Sequence, residues 1–210
     1  MLFAASEIYP FAKSGGLADV AYSLPRALSS MIDITVVMPL YRFIDRERFA
    51  IKPLGIEWKI NISGASHHTV LYGCRYEGVE YLFVYSAVLS ERDYLYGPPN
   101  EGYADNALRF GLFSYAIADL SERYSVDLLH LNDWQTALSA LLVHENPNLS
   151  TKIVYTIHNL AYQGIFDQRM LPVLGLSNDY FTMDTLEYYG NINFIKAGIA
   201  YADRIATVSP

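Results

Sequence analysis

Short apolar runs with no polar alternation, each passing through a polar turn into a segment of helical periodicity, constrain the fold more than any other feature of this chain. The first run is Leu2-Phe3-Ala4-Ala5. Ile34-Thr35-Val36-Val37-Met38, Asp127 to Leu131, Lys152 to Ile157 and Arg204 to Val208 repeat the pattern. Strands of this kind are buried on both faces, as in parallel sheets. The segments between them carry helical spacing: Leu17, Val20, Ala21, Leu24 and Leu28, then residues 103 to 122, Trp134 to His144, a shorter piece near Gln168 to Leu174, and Asn191 to Tyr201. Pro25 falls inside the first and is expected to kink it. Strands alternating with helices predict an α/β fold, a Rossmann-like three-layer domain with a mostly parallel sheet. Three strand-like segments, Ile56 to Ile62, Thr69 to Tyr76 and Tyr81 to Tyr85, follow one another without a helix. Glu77-Gly78 is a hairpin signal between the last two, and Ser63-Gly64-Ala65-Ser66 separates the first two, so the sheet is expected to be mixed.

In open α/β sheets ligands bind at the carboxyl edge, where strands hand over to helices. Polar pairs stand at three such ends: Lys13 and Ser14, Asn132 and Asp133, His158 and Asn159. The turn Lys13-Ser14-Gly15-Gly16 opens the first helix, with Ser14 as its expected N-cap. Two glycines at a helix mouth let a ligand approach bare backbone amides, which together with the helix dipole favour an anion. Lys13 adds a mobile positive charge. The turn is read as a grip for the diphosphate of an activated sugar, although a glycine turn that binds nothing is common in α/β proteins. It is neither a P-loop nor a Gly-x-Gly-x-x-Gly fingerprint, which counts against a nicotinamide oxidoreductase.

Asp133 has two readings: an N-cap for the helix from Trp134, or a carboxylate that bonds sugar hydroxyls and stabilises positive charge at an anomeric carbon. His158, at the tip of a core strand, is either a packed residue or a polar contact and proton handler near neutral pH. The loop from Ser90 to Gly102 is long enough to be functional, with Tyr94, Tyr96 and Tyr103 in or beside it. His67, His68 and His144 show no metal-ligand spacing, and no Asp-x-Asp is present, so no metal is expected. Basic side chains and helix ends would then neutralise a diphosphate.

A chain of 210 residues with 52% hydrophobic content can bury a core in one domain. Its net charge of −7 argues against a nucleic-acid or anionic-membrane surface. The single Cys74 excludes an internal disulfide and fits a reducing compartment. No run is long enough to span a bilayer, and the N-terminus has no secretory signature, so a cytoplasmic location is expected. The eighteen tyrosines offer flat faces suited to sugar rings, though most will be partly buried core. Ile205 to Pro210 reads as a strand entering a turn, which suggests a piece of a longer protein.

The segment from Ser6 to Val20, reading Ser-Glu-Ile-Tyr-Pro-Phe-Ala-Lys-Ser-Gly-Gly-Leu-Ala-Asp-Val, resembles the signature that opens the bacterial glycogen synthases and plant starch synthases. Val37 to Tyr41, His130 to Leu138, Tyr155 to Gly164 and Phe194 to Gly198 resemble that family's later blocks, in order and across essentially the whole chain. The family often has Thr where Ser14 stands and His at the positions of Asn132 and Gln135. The resemblance implies the N-terminal, acceptor-side half of a two-Rossmann-domain (GT-B type) enzyme. Such an enzyme is a retaining glucosyltransferase that moves glucose from ADP-glucose to the non-reducing end of glycogen or another α-1,4-glucan. By the same resemblance residues 1–210 form a truncated catalytic domain, and the C-terminal nucleotide-binding domain is absent, so the fragment alone is expected to be inactive. Lys13, Ser14, Gly15 and Gly16 would bind the sugar nucleotide, and Asp133 and His158 would line the reaction centre. Asp19, Tyr96, Asn159 and Gln163 would contact donor or acceptor, with no cofactor required. The competing reading is a stand-alone glucan- or nucleotide-binding module without catalysis.

Overall fold

The computed structural model describes residues 1–208. In chain order the elements are β1 (Leu2–Ala4), α1 (Gly16–Leu28), β2 (Thr35–Pro39), β3 (Lys52–Ile62), β4 (Ala65–Tyr76) and β5 (Val79–Tyr85). Then come α2 (Ala87–Ser90), α3 (Asn106–Arg123), β6 (Leu128–Asn132), α4 (Trp134–His144), β7 (Lys152–Ile157), β8 (Ile165–Asp167) and α5 (Met170–Val173). The last are β9 (Glu187–Tyr188), β10 (Asn191–Asn193), α6 (Phe194–Tyr201) and β11 (Arg204–Thr207). Among the described residues no helix is long and apolar enough to cross a membrane.

One sheet of eight strands runs in the order β11-β7-β6-β1-β2-β5-β4-β3. The six strands from β11 to β5 are parallel, and β4 and β3 add on antiparallel, so the sheet is mixed as the patterning implies. The two hairpins close on Ser63-Gly64 (φ 50° and 81°) and Glu77-Gly78 (φ 46° and 87°). Positive φ at both central residues is the type I′ geometry, whose twist matches that of the strands.

β1 sits in the middle of the sheet and is buried on both faces. Leu2 and Ala4 join a core with Leu129, Leu131 and the inward sides of α3, α4 and α6. Phe3 and Ala5 join a second core on the opposite face with Ala21 of α1, Val36, Met38, Phe11 and Tyr41. The period-two alternation of a strand separates the two cores, giving three layers. α1 continues three residues past Pro25 before ending at Leu28.

Two expectations need correction. The helix expected from Asn191 begins only at Phe194, because residues Asn191–Asn193 form the middle strand of a separate three-stranded antiparallel sheet, β8-β10-β9. Strands of two or three residues carry no readable periodicity. The helix near Gln168 to Leu174 shrinks to the single turn of α5. The turn expected at Ser209-Pro210 lies outside the described residues.

Two glycines let these layers close. Gly164 has φ +64°, and a Cβ there would lie 2.6 Å from Cε3 of Trp134. Gly198 of α6 faces the Tyr155 ring of β7 so closely that a Cβ would stand 2.5 Å from Cε1. Tyr155 is fully buried and has no room to withdraw. Alanine in a helix interior normally gains about 1 kcal/mol over glycine, whereas forcing a methyl into a packed core costs about 1–3 kcal/mol. The steric term wins here. Gly198→Ala is expected to destabilise the fold by roughly 1–2 kcal/mol, read as a lower urea midpoint at unchanged slope.

Candidate functional site

The chain leaves β1 toward β2 on one side and returns through β6, β7 and β11 on the other, so the strand order reverses between β1 and β6. A reversal of this kind opens a crevice at the carboxyl ends of the two strands. A cleft of about 1060 Å³ lies there, bordered by Gly15 and Gly16 from the β1–α1 turn, Tyr96 from the long loop, Asp133 and Trp134 after β6, and His158 after β7. Ser14 and Asn159 border it as well. Three strand ends therefore share one cavity, and of their polar pairs Ser14, Asp133, His158 and Asn159 border it while Lys13 and Asn132 do not.

Around the β1–α1 turn the structure departs from expectation. The N-cap of α1 is Gly15, and the Ser14 side chain makes no capping bond. The Ser14 amide is not bare either, since it donates to Oε2 of Glu7. Glu7 is 3% exposed and lines the cleft. It anchors the turn and places a carboxylate at the cleft beside the α1 N-terminus. This residue was missed at the sequence level, because only its position within the opening block singled it out. Lys13 projects to the side, where its Nζ meets both carboxylate oxygens of Asp19 at 2.7 Å. It borders a neighbouring pocket of about 330 Å³ with Ser14, Phe43, Tyr94 and Tyr96. An ion pair this exposed contributes only about 0–1 kcal/mol, so the ammonium can exchange Asp19 for a phosphate at small cost.

Asp133 occupies the N-cap position of α4 with φ 61° and ψ −177°, and its side chain makes no capping bond. The capping reading fails, and what remains is a carboxylate carried on a strained backbone. A non-glycine residue in that region costs about 1–3 kcal/mol and persists only where its surroundings hold it. Its amide donates to the Thr156 carbonyl (2.9 Å), which holds the turn. The carboxylate is 6% exposed, and Oδ1 has no hydrogen-bond partner among the described residues. Burial pushes its pKa up to about 6. The amides of Trp134, His158 and Asn159 pull it back down, and the charge of Glu7 adds to the rise.

His158 is half-buried, and burial lowers its pKa below the ordinary histidine value, so it is neutral at pH 7. Its Nε2 lies 3.0 Å from Oδ1 of Asn132. Beneath it His130 pairs Nε2 with the Thr156 hydroxyl at 2.8 Å, and burial lowers its pKa to about 4. Gln135 is 4% exposed, borders the cleft and has no partner for Oε1 among the described residues.

Tyr96 borders the cleft with its hydroxyl 2.8 Å from Ser6 Oγ. Burial holds its pKa well above the usual phenol value. Its loop is pinned by Arg109, a fully buried guanidinium. Arg109 donates to the carbonyls of Leu89 and Leu95 (both 3.1 Å) and to Oδ1 of Asn106 (2.7 Å). Asn159 caps its own turn by accepting from the Ala161 amide at 2.9 Å. Gln163 is used elsewhere: Oε1 accepts from Asn193 (2.7 Å) and Nε2 donates to the Leu160 carbonyl (3.0 Å). It ties the loop after β7 to the start of α6.

Residues 1–210 match the family described as the starch synthase catalytic domain. A glycogen synthase of Aquifex aeolicus (strain VF5) is 40% identical over all of this chain and 45% of its own length. One from Koribacter versatilis (strain Ellin345) is 41% identical over 99% of this chain and 44% of its own. Among solved structures, the catalytic domain of Starch Synthase IV from Arabidopsis thaliana, bound to ADP and acarbose, superposes with a TM-score of 0.90 at 27% identity. That match covers 100% of this chain and 44% of the other. The chain thus spans less than half the length of these relatives.

The raised pKa of Asp133 sets a sign for stability. Between 3.8 and about 6 the folded state holds a proton that the unfolded chain has released, so stability falls as pH rises through this window. Below it both states are protonated and the cost vanishes. A shift of this size corresponds to about 3 kcal/mol as an upper figure. Asp133→Asn is therefore expected to raise the melting temperature at pH 7 and to lose that advantage near pH 4, as followed by circular dichroism.

Proposed function

This chain belongs to the starch synthase catalytic domain family, and on that premise we propose that it forms the acceptor-side half of a cytoplasmic glucosyltransferase. The reaction is retaining transfer of glucose from ADP-glucose to the non-reducing end of an α-1,4-glucan, as in glycogen and starch synthesis. The observation that carries the reading is the convergence of the α1 N-terminus, Asp133 and His158 on one cleft at the strand-order reversal.

When the bond from the anomeric carbon to the diphosphate breaks, negative charge collects on the departing oxygens and positive charge on the sugar. The first is met by the helix end at Gly15 and Gly16 and by the ammonium of Lys13 once it leaves Asp19. The second is met by Asp133, whose carboxylate is ionised above a pH of about 6. His158 and Asn159 at the neighbouring strand end, with Tyr96 opposite, border the space for glucose and acceptor hydroxyls. Asp19 takes part indirectly, by parking Lys13 until the donor arrives. Gln163 shapes the loop that carries His158 and Asn159 and is not itself a ligand contact in this reading.

The adenine nucleotide and the remaining diphosphate charges fall to a second domain, in the part of the relatives' length that this chain does not span. Tyr162 (67% exposed) and Val208 (49%) line the cleft as exposed apolar surface and support a partner on that side. That the plant relative is bound to ADP and acarbose supports this reading.

The purified 210-residue chain is expected to extend no maltooligosaccharide with ADP-glucose, because half of the leaving-group stabilisation is missing. Detectable radiolabelled chain growth would overturn this. In a protein of the relatives' full length, Lys13→Ala should raise the KM for ADP-glucose about tenfold, as expected for loss of one charge-assisted bond, with a smaller effect on the KM for glucan. An unchanged donor KM would remove Lys13 from the diphosphate site.

A further inference from the structure

Asn132 is fully buried at the end of β6, between two groups of opposite demand. On one side lie backbone carbonyls: Nδ2 is 3.1 Å from the oxygen of Ala4 and 3.4 Å from that of His130. On the other side Oδ1 is 3.0 Å from Nε2 of His158. A carbonyl can only accept, so the amide end that faces it must be the NH2 group. Turning the carboxamide over would set two oxygens against each other and leave buried acceptors unsatisfied. With the NH2 committed to β1, the oxygen has to face His158, and it is satisfied only by an N–H.

We infer that Asn132 is a positioning residue that holds His158 as the Nε2–H tautomer and leaves Nδ1 as the only polar atom of the ring free to meet a ligand. Neutral imidazole carries one proton, and the bond made by one nitrogen determines what the other can do. With Nε2 occupied, the ring accepts a hydrogen from a ligand hydroxyl and donates none. The chemistry it recognises is a hydroxyl donor, and a carbonyl or fluorine in the same place leaves the ring unpaired. The chain of bonds from Ala4 through Asn132 to His158 also ties the tautomer to the central strand, so the setting is built into the sheet.

The inference rests on the reading of His158 as a ligand contact, but its test does not require glucose transfer. Long-range proton–nitrogen correlation spectra of the 15N-labelled chain at pH 7 distinguish protonated from bare ring nitrogens, with His158→Gln identifying the signal. The expected result is a protonated Nε2 and a bare Nδ1. Asn132→Leu removes the acceptor and should shift the tautomer ratio toward Nδ1–H by about tenfold, the scale of one lost hydrogen bond. A wild-type ring protonated on Nδ1 would overturn the inference, as would an unchanged ratio in a folded Asn132→Leu variant. Where that variant does not fold, the wild-type spectrum decides. An Nε2–H tautomer in a full-length protein that transfers no glucose would sink the proposed function and leave this inference standing.

Discussion

Parallel pairing of β1 on both of its edges is the constraint from which the rest of the molecule follows. Leu2–Ala4 is only three residues long, yet β2 bonds one edge and β6 the other in matching register. Because both neighbours run the same way, the chain has to leave in one direction and return from the other. The turn after β1 and the turn after β6 then face a common crevice. Both faces of β1 are buried in separate cores, so the strand cannot slip by a residue without exchanging Phe3 and Ala5 for Leu2 and Ala4. A rigid centre is what allows the loops above it to hold groups in costly arrangements.

Those arrangements cluster at the reversal point. Asp133 combines a left-handed backbone with a buried, partly unsatisfied carboxylate, while Glu7 places a second buried carboxylate across the same cleft. Glu7 accepts the Ser14 amide and Asp133 faces the amides of Trp134, His158 and Asn159, so each also holds its own turn. Groups of this kind are retained where their cost is offset by what they do to a ligand. The exposed pair of Lys13 and Asp19 is the opposite case, cheap to break and so suited to exchange. The cleft therefore holds its carboxylates firmly, while the cation beside it is held loosely.

Much was legible in the sequence, and for a local reason. Burial on both faces removes polar alternation from a strand and leaves a 3.6-residue period in the helices, so β2, β6, β7, α1 and α4 could be placed from their own residues. Glu77-Gly78 announced one hairpin and Ser63-Gly64 marked the break between the preceding strands, and both close with the positive φ that a type I′ turn needs. The polar pairs at the strand ends pointed to the edge of the sheet where the cleft lies. The short strands β8, β9 and β10 left no trace, because their stability comes from one another and from α6 and not from any periodic face.

The sequence by itself thus determined the α/β class, the mixed sheet and the sheet edge at which the cleft opens, all carried by patterns that neighbouring residues express. Only the tertiary structure decided which polar groups are free and which are occupied. Ser14 gives its amide to Glu7, Gln163 its carbonyl to Asn193, and Asn132 bridges His158 to Ala4, a residue 128 positions away. The physical reason is that a hydrogen bond depends on a partner within about 3 Å, and the order of strands in the sheet, which no local pattern encodes, chooses that partner.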